Sequence, residues 1–155
     1  KISLDAVDQQ ILKMLQEDAK INIKEIAAQL NMTKTPIYER IKRLEKEGVI
    51  EKYVTVLNRK KLNSSIIVFL EGSLKVDKFE QAQEFYDAVA ATPEIIECYL
   101  LGGENDFMLK VIAPELDRYH DFYATKIASL PRVGRIKGSF VIKEIKHSTV
   151  LPSFE

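Results

Sequence analysis

The chain has 155 residues, 46% of them hydrophobic and 30% charged, and its 23 basic side chains balance 23 acidic ones. That size fits one large domain or two small ones, and the apolar share is enough for a packed core. No apolar run approaches the length of a membrane span, and no signal-peptide pattern opens the chain.

The cysteine count points to a reducing cytosol. One cysteine, Cys98, excludes an intrachain disulfide. It reads as a small buried hydrophobe in a strand. With His120 and His147 it does not make a zinc site, so no metal and no cofactor is expected. The charge is unevenly spread. Residues 1–62 carry 13 Lys and Arg against 9 Asp and Glu, and residues 63–155 carry 10 against 14. A basic half joined to an acidic half suggests that one half meets phosphate and the other does not. The chain starts at Lys1 rather than Met, which suggests a residue or two ahead of it.

In chain order, Asp5 predicts an N-cap, with Asp8 placed to favour the helix dipole. Val7, Ile11, Met14 and Leu15 form the stripe of a first helix. Asn22 caps a second, with Glu25 three residues on, where its carboxylate can reach back to the cap amide. Ile26, Ala27 and Leu30 share its apolar face. Asn31 tolerates the left-handed conformation that ends helices. Thr33 then caps a third helix, Pro36 falls in its first turn and Gly48 stops it.

In that third helix Ile37, Ile41 and Leu44 point to a core. Thr35, Glu39, Lys42, Arg43 and Lys46 lie opposite, with Tyr38 and Arg40 on the flanks. Spacing alone suits a solvated amphipathic helix. The capped short helix, the tight turn and the basic outward face together favour a helix-turn-helix whose last helix enters the major groove of double-stranded DNA. Thr33, Lys34, Thr35, Pro36, Tyr38, Glu39, Arg40, Lys42, Arg43 and Lys46 are the candidate contacts. Lys34, Arg40, Lys42, Arg43 and Lys46 would hold phosphates, and Thr35, Pro36, Tyr38, Glu39 and Lys42 would read base edges.

After Gly48, the alternation in VIEKYVTVL predicts a strand in the position of a wing. The basic run Arg59-Lys60-Lys61 lies in a polar connection. A strand from Ser65 to Val76 follows, then a helix carrying Phe79, Ala82, Phe85, Tyr86 and Val89. Ile95 to Leu101 and Phe107 to Ala113 pair as a hairpin across Gly102-Gly103-Glu104-Asn105. Leu116, Tyr119, Tyr123, Ile127 and Leu130 mark a helix closed by Pro131, and Val133 to Ile145 is a last strand. The order is βαββαβ. The fold class is α+β, an N-terminal winged helix-turn-helix domain joined to a C-terminal ferredoxin-like domain. The expected division is 1–50 for the head, 51–63 for a strand and linker, and 64–155 for the second domain. Helices cover one sheet face; Ile67, Phe69, Tyr99, Leu101, Met108 and Phe140 are available to the other. An uncovered apolar face of that size calls for a partner, and two subunits packed sheet to sheet are expected.

These residues resemble the Lrp/AsnC family of transcription regulators over nearly the whole length. In the head the match runs through Leu4-Asp5, Asp8, Ile11-Leu12, Thr33-x-x-Pro36, Arg40, Leu44-Glu45, Gly48-x-Ile50 and Tyr53. In the second half it runs through Glu97-Cys98-Tyr99, Gly103-x-x-Asp106 and Leu151-Pro152. The resemblance implies a cytoplasmic regulator that dimerises through its second domain, often assembles to an octamer, and binds a small effector, usually an amino acid, between subunits. It places the effector at Leu101, Gly102, Gly103, Glu104, Asn105 and Asp106, with Arg135 and Ser139 from the last strand. Gly102, Asn105 and Ser139 depart from the family's commonest residues there. Chemistry alone reads the same loop as a plain hairpin turn. Glycine amides can hold a carboxylate, and Asp106 or Glu104 can take an ammonium group. An architectural protein that wraps DNA without an effector is the alternative. An enzyme is not expected, because the chain offers no nucleophile–base pair, metal cluster or phosphate-cradling loop.

Overall fold

Capping decides where the first three helices begin and end. α1 (Ala6–Glu17) opens on a reciprocal cap: the Asp5 carboxylate accepts the Asp8 amide at 2.8 Å, and the Asp8 carboxylate accepts the Asp5 amide at 3.1 Å. α2 (Ile23–Gln29) opens with the Glu25 amide donating to Asn22 Oδ1 at 2.8 Å. The expected return bond to the Glu25 carboxylate is absent among the described residues. Asn31 takes φ 52° and turns the chain into α3 (Lys34–Lys46). Thr33 holds the extended N-cap geometry, but its hydroxyl makes no capping bond, contrary to the sequence reading. Gly48 ends α3 at φ 72°, which a side chain would strain. Ile11, Ile26, Ile37 and Leu44 are fully buried where the three helices meet.

This computed structural model describes residues 2–63 and 66–152. It divides into two compact units, Lys1–Val56 with Ile145–Glu155 and Leu57–Glu144. Residues 51–58 carry no regular element, so the predicted wing strand does not form. A strand needs a neighbour for its peptide groups, and no strand pairs with this stretch among the described residues. Tyr53, Val54, Val56 and Leu57 remain exposed. Arg59–Leu62 is a short 3-10 turn.

The second unit is a four-stranded antiparallel sheet of order β2-β3-β1-β4, formed by β1 (Ile66–Leu74), β2 (Ile95–Leu100), β3 (Phe107–Ala113) and β4 (Val133–Phe140). Between them run α4 (Ala82–Ala90) and α5 (Leu116–Phe122), the latter continuing as a π-helical stretch through Ile127. Ser65, expected to open the first strand, lies outside the described residues. Val76 falls beyond β1, and β4 stops at Phe140 rather than Ile145. Val68 and Leu70 of β1 and Phe107, Leu109 and Val111 of β3 pack against Phe85 and Val89 of α4 and Tyr119 and Phe122 of α5. Phe79 stands 80% exposed outside that core, where helical spacing had put it inside.

Alternation along the strands defines the opposite face. It carries Phe69 and Glu71 of β1, Met108, Lys110 and Ile112 of β3, and Tyr99 of β2. Ile67 also belongs to it but is buried. Phe140 does not. It pairs with Val68 and meets the Tyr119 ring at 5.1 Å on the helix side. Cys98 also departs from expectation: β2 is an edge strand, and its thiol is exposed. Partial burial still pushes that thiol's pKa up.

Candidate DNA-binding and effector sites

α3 presents two kinds of side chain. Arg40 donates to Asp5 at 2.7 Å and to Asp8 at 2.8 Å, and Arg43 donates to Asp8. Asp8 is 1% exposed. These two guanidiniums, expected to hold phosphates, instead fasten α3 to the start of α1. The Asp8 backbone amide, and after it the Arg40 guanidinium, hold the Asp5 carboxyl below its ordinary pKa; Asp5, ahead of Asp8, keeps Arg40 above its own. On the other flank Lys42 pairs with Glu45 at 3.2 Å and lies 5.6 Å from the centre of the Tyr38 ring. The Tyr53 hydroxyl donates to Glu45 at 3.0 Å. Burial first, and that carboxylate second, push the Tyr53 hydroxyl up to about 12.

The outermost strip is Lys34, Thr35, Glu39 and Lys46, all exposed and, among the described residues, without a side-chain partner. Thr33 adjoins it, and Pro36 is half-buried in the first turn. A helix with a free polar strip, two lysines and a positive N-terminal end can meet phosphate and base edges at once. Sequence reasoning missed Asp8 as an anchor. Its signal was there in the Asp5-x-x-Asp8 spacing and in two arginines three residues apart.

The loop between β2 and β3 is fixed at one end and open at the other. The Leu101 amide donates to Asp106 O at 2.9 Å, closing the hairpin. The Asp106 amide donates to Gly72 O, and its carboxylate accepts the Leu74 amide, both at 2.8 Å. Asp106 thus clamps the irregularity in β1 between Gly72 and Leu74. The Ser73 hydroxyl, inside that irregularity, accepts the Arg135 amide at 2.9 Å. Gly102, Gly103 and Glu104 are exposed. Neither glycine has a positive φ, and an added Cβ would meet nothing within 4 Å. Geometry within the chain does not require glycine there; the effect is to leave backbone amides uncovered.

Asn105 is half-buried and donates to Glu71 Oε2 at 2.9 Å, while its carbonyl accepts from Arg135 at 3.3 Å. The structure therefore brings Arg135 to the loop. Ser139, four residues further along β4 and opposite Phe69, lies roughly 13 Å from Arg135 along the strand and is not brought there within one chain. Glu71 was not among the sequence candidates, although a carboxylate inside an apolar strand was a visible signal.

A family model described as the Lrp/AsnC ligand binding domain matches residues 67–151, and one described as winged helix-turn-helix DNA-binding matches residues 4–51. The leucine-responsive regulatory protein of Klebsiella pneumoniae is 34% identical over 148 residues, covering 96% of this chain and 90% of that one. The chain belongs to the Lrp/AsnC family. It is accordingly a DNA-binding transcription regulator of the Lrp/AsnC type and not an enzyme. An AsnC family transcriptional regulator of Agrobacterium tumefaciens superposes with a TM-score of 0.91 at 31% identity, covering 96% of this chain and 97% of that one. A transcriptional regulator of Neisseria meningitidis, solved as a complex with L-Met, gives 0.91 at 29% identity with 97% of each chain covered. This Lrp/AsnC chain has no helix long and apolar enough to cross a membrane among its described residues.

Proposed function

We propose that the chain is a sequence-specific cytosolic regulator whose DNA affinity responds to an amino-acid effector bound between subunits of its second domain. The observation that carries the DNA half is the outer strip of α3. Its polar side chains are exposed and, among the described residues, uncommitted, whereas Arg40 and Arg43 are engaged with Asp5 and Asp8. Lys34 and Lys46 hold phosphates, with Lys60 and Lys61 of the connection as further cations. Thr33, Thr35 and Glu39 read base edges, and Tyr38, Pro36 and Lys42 border them.

For the effector half, the support is the uncovered amides at Gly102 and Gly103 beside charged groups, together with the L-Met complex of the Neisseria relative. The open sheet face, with Phe69, Met108, Ile112 and Tyr99, suits a second copy of the chain as its cover. Such a dimer is the unit from which an octamer assembles. A monomeric mass in sedimentation at micromolar concentration would sink that part.

DNA binding and effector binding are tested together. Full-length protein is titrated with operator and with random duplex at fixed salt, with and without each amino acid. A regulator prefers the operator by at least about a thousandfold. Effector and DNA must also change each other's affinity by the same factor. A ratio near one, with no amino acid having any effect, is the outcome for an architectural DNA-wrapping protein. Glu39→Gln changes which sequence is preferred; an unchanged preference removes Glu39 from base reading.

A further inference from the structure

Glu71 occupies a costly position. It sits in β1 within IIVFLEGSL, half-buried, with Met108 and Lys137 as its cross-strand partners. It makes no ion pair with Lys137 among the described residues. Its partner is the Asn105 amide, whose carbonyl in turn faces Arg135. An amide between a carboxylate and a guanidinium has only one sensible orientation, its NH2 toward the anion and its oxygen toward the cation.

Asn105 therefore holds two opposite charges apart rather than letting them join. Both keep unused capacity, because a carboxylate accepts about four hydrogen bonds and a guanidinium donates five. The span between them is at most roughly 8 Å, which is also the reach of an ammonium and a carboxylate on one carbon with a hydrogen bond at each end. The acids nearer the loop fit this task less well. Asp106 commits an oxygen to the Leu74 amide, and Glu104 is exposed at the tip.

We propose that Glu71 and Arg135, set apart by Asn105, grip the charged head of an α-amino acid: Glu71 takes the ammonium group, and Arg135, with the loop amides, takes the carboxylate. This rests on the effector reading given above and names the residues that select its ligand class. A zwitterion satisfies both charges at once. A plain carboxylic acid or a plain amine leaves one of them unmatched.

The test uses full-length protein and the twenty standard amino acids, screened by thermal shift, with calorimetry on every hit. Each hit is then compared with its carboxylic acid lacking the amino group. Glu71→Gln keeps the shape and the bond from Asn105. It is expected to weaken the amino acid roughly tenfold or more. It also shrinks the preference for the amino acid over the deaminated acid by the same factor, which a merely structural role would not do. Arg135→Gln, at an exposed side chain, is expected to weaken both compounds. If the wild type binds amino acids and Glu71→Gln binds them equally well, this proposal alone is overturned. If the wild type binds none of the twenty, the effector reading falls and this proposal falls with it.

Discussion

The head and the second unit each join a carboxylate to a guanidinium, and they do so in opposite ways. In the head, Asp8 is 1% exposed and meets Arg40 and Arg43 directly, with side chains 28% and 42% exposed. In the second unit Glu71 is half-buried and is kept from Arg135 by the Asn105 amide. The first arrangement is closed: the acid that is withdrawn from water is fully paired. The second is open, with charge still available on both sides of the bridge. Closed pairing fastens helices together, and open pairing leaves something for a ligand to complete.

That contrast can be broken by mutation. The largest expected effect is Asp8→Ala. It leaves Arg43 without its partner and Arg40 with Asp5 alone, and it removes half of the α1 cap, at a cost of about 3 kcal/mol, moderated because both guanidiniums keep some water. Hydrogen exchange then speeds up in α1 to α3 while amides of β1 to β4 stay as they were. Uniform change across both units would contradict the assignment of Asp8 to the head. Next is Gly72→Ala. Its Cβ would lie 2.2 Å from Arg135 O and 2.8 Å from Phe107 Cζ. Both β4 and the Phe107 ring must shift, so about 2 kcal/mol of stability is lost in the second unit, read by denaturant unfolding. Asp106→Asn weakens the clamp on Leu74, and a loss of about 1 kcal/mol with faster exchange at the Leu74 amide is expected. Glu71→Gln, by contrast, belongs to the open arrangement and should leave unfolding nearly unchanged.

The smallest effect is one of pH. Asp5 has its pKa lowered in the folded chain, so its contribution is complete above the ordinary value of 3.8 and is lost as the pH falls through the lower folded value. Asp5→Asn should flatten the acid limb of head stability below about pH 4 and leave the neutral range without any pH-dependent change. An acid limb identical to wild type would remove Asp5 from that linkage.

Much of this was legible in the chain before its structure. The caps at Asp5 and Asn22, the turn at Asn31 and the stop at Gly48 are local, and local chemistry decides them. The βαββαβ order of elements and the helix-covered face follow from alternation and helical spacing. What escaped was long-range or depended on ends. Arg40 and Arg43 looked like outward cations because helical phase does not reveal a buried acid 32 residues or more away. Phe140 was placed on the wrong face because register across β1 and β4 is not written in either strand alone. Residues 49–57 alternate as a strand does, yet alternation cannot supply a neighbour. In the loop between β2 and β3 the residues were visible, but their division was not. Asp106, one of the two candidate acids, clamps backbone, while Glu71, more than 30 residues earlier, faces Asn105.

α3 divides into a face that holds the head together and, on the function proposed above, a strip that meets DNA. The most direct measurement is the salt dependence of operator binding for the wild type and for Lys46→Ala, with melting temperature followed alongside. Lys46→Ala is expected to leave the melting temperature unchanged, to weaken binding to every duplex, and to reduce the slope of log affinity against log salt by about one unit. An unchanged slope in a folded Lys46→Ala protein would contradict it and place the phosphate contacts elsewhere.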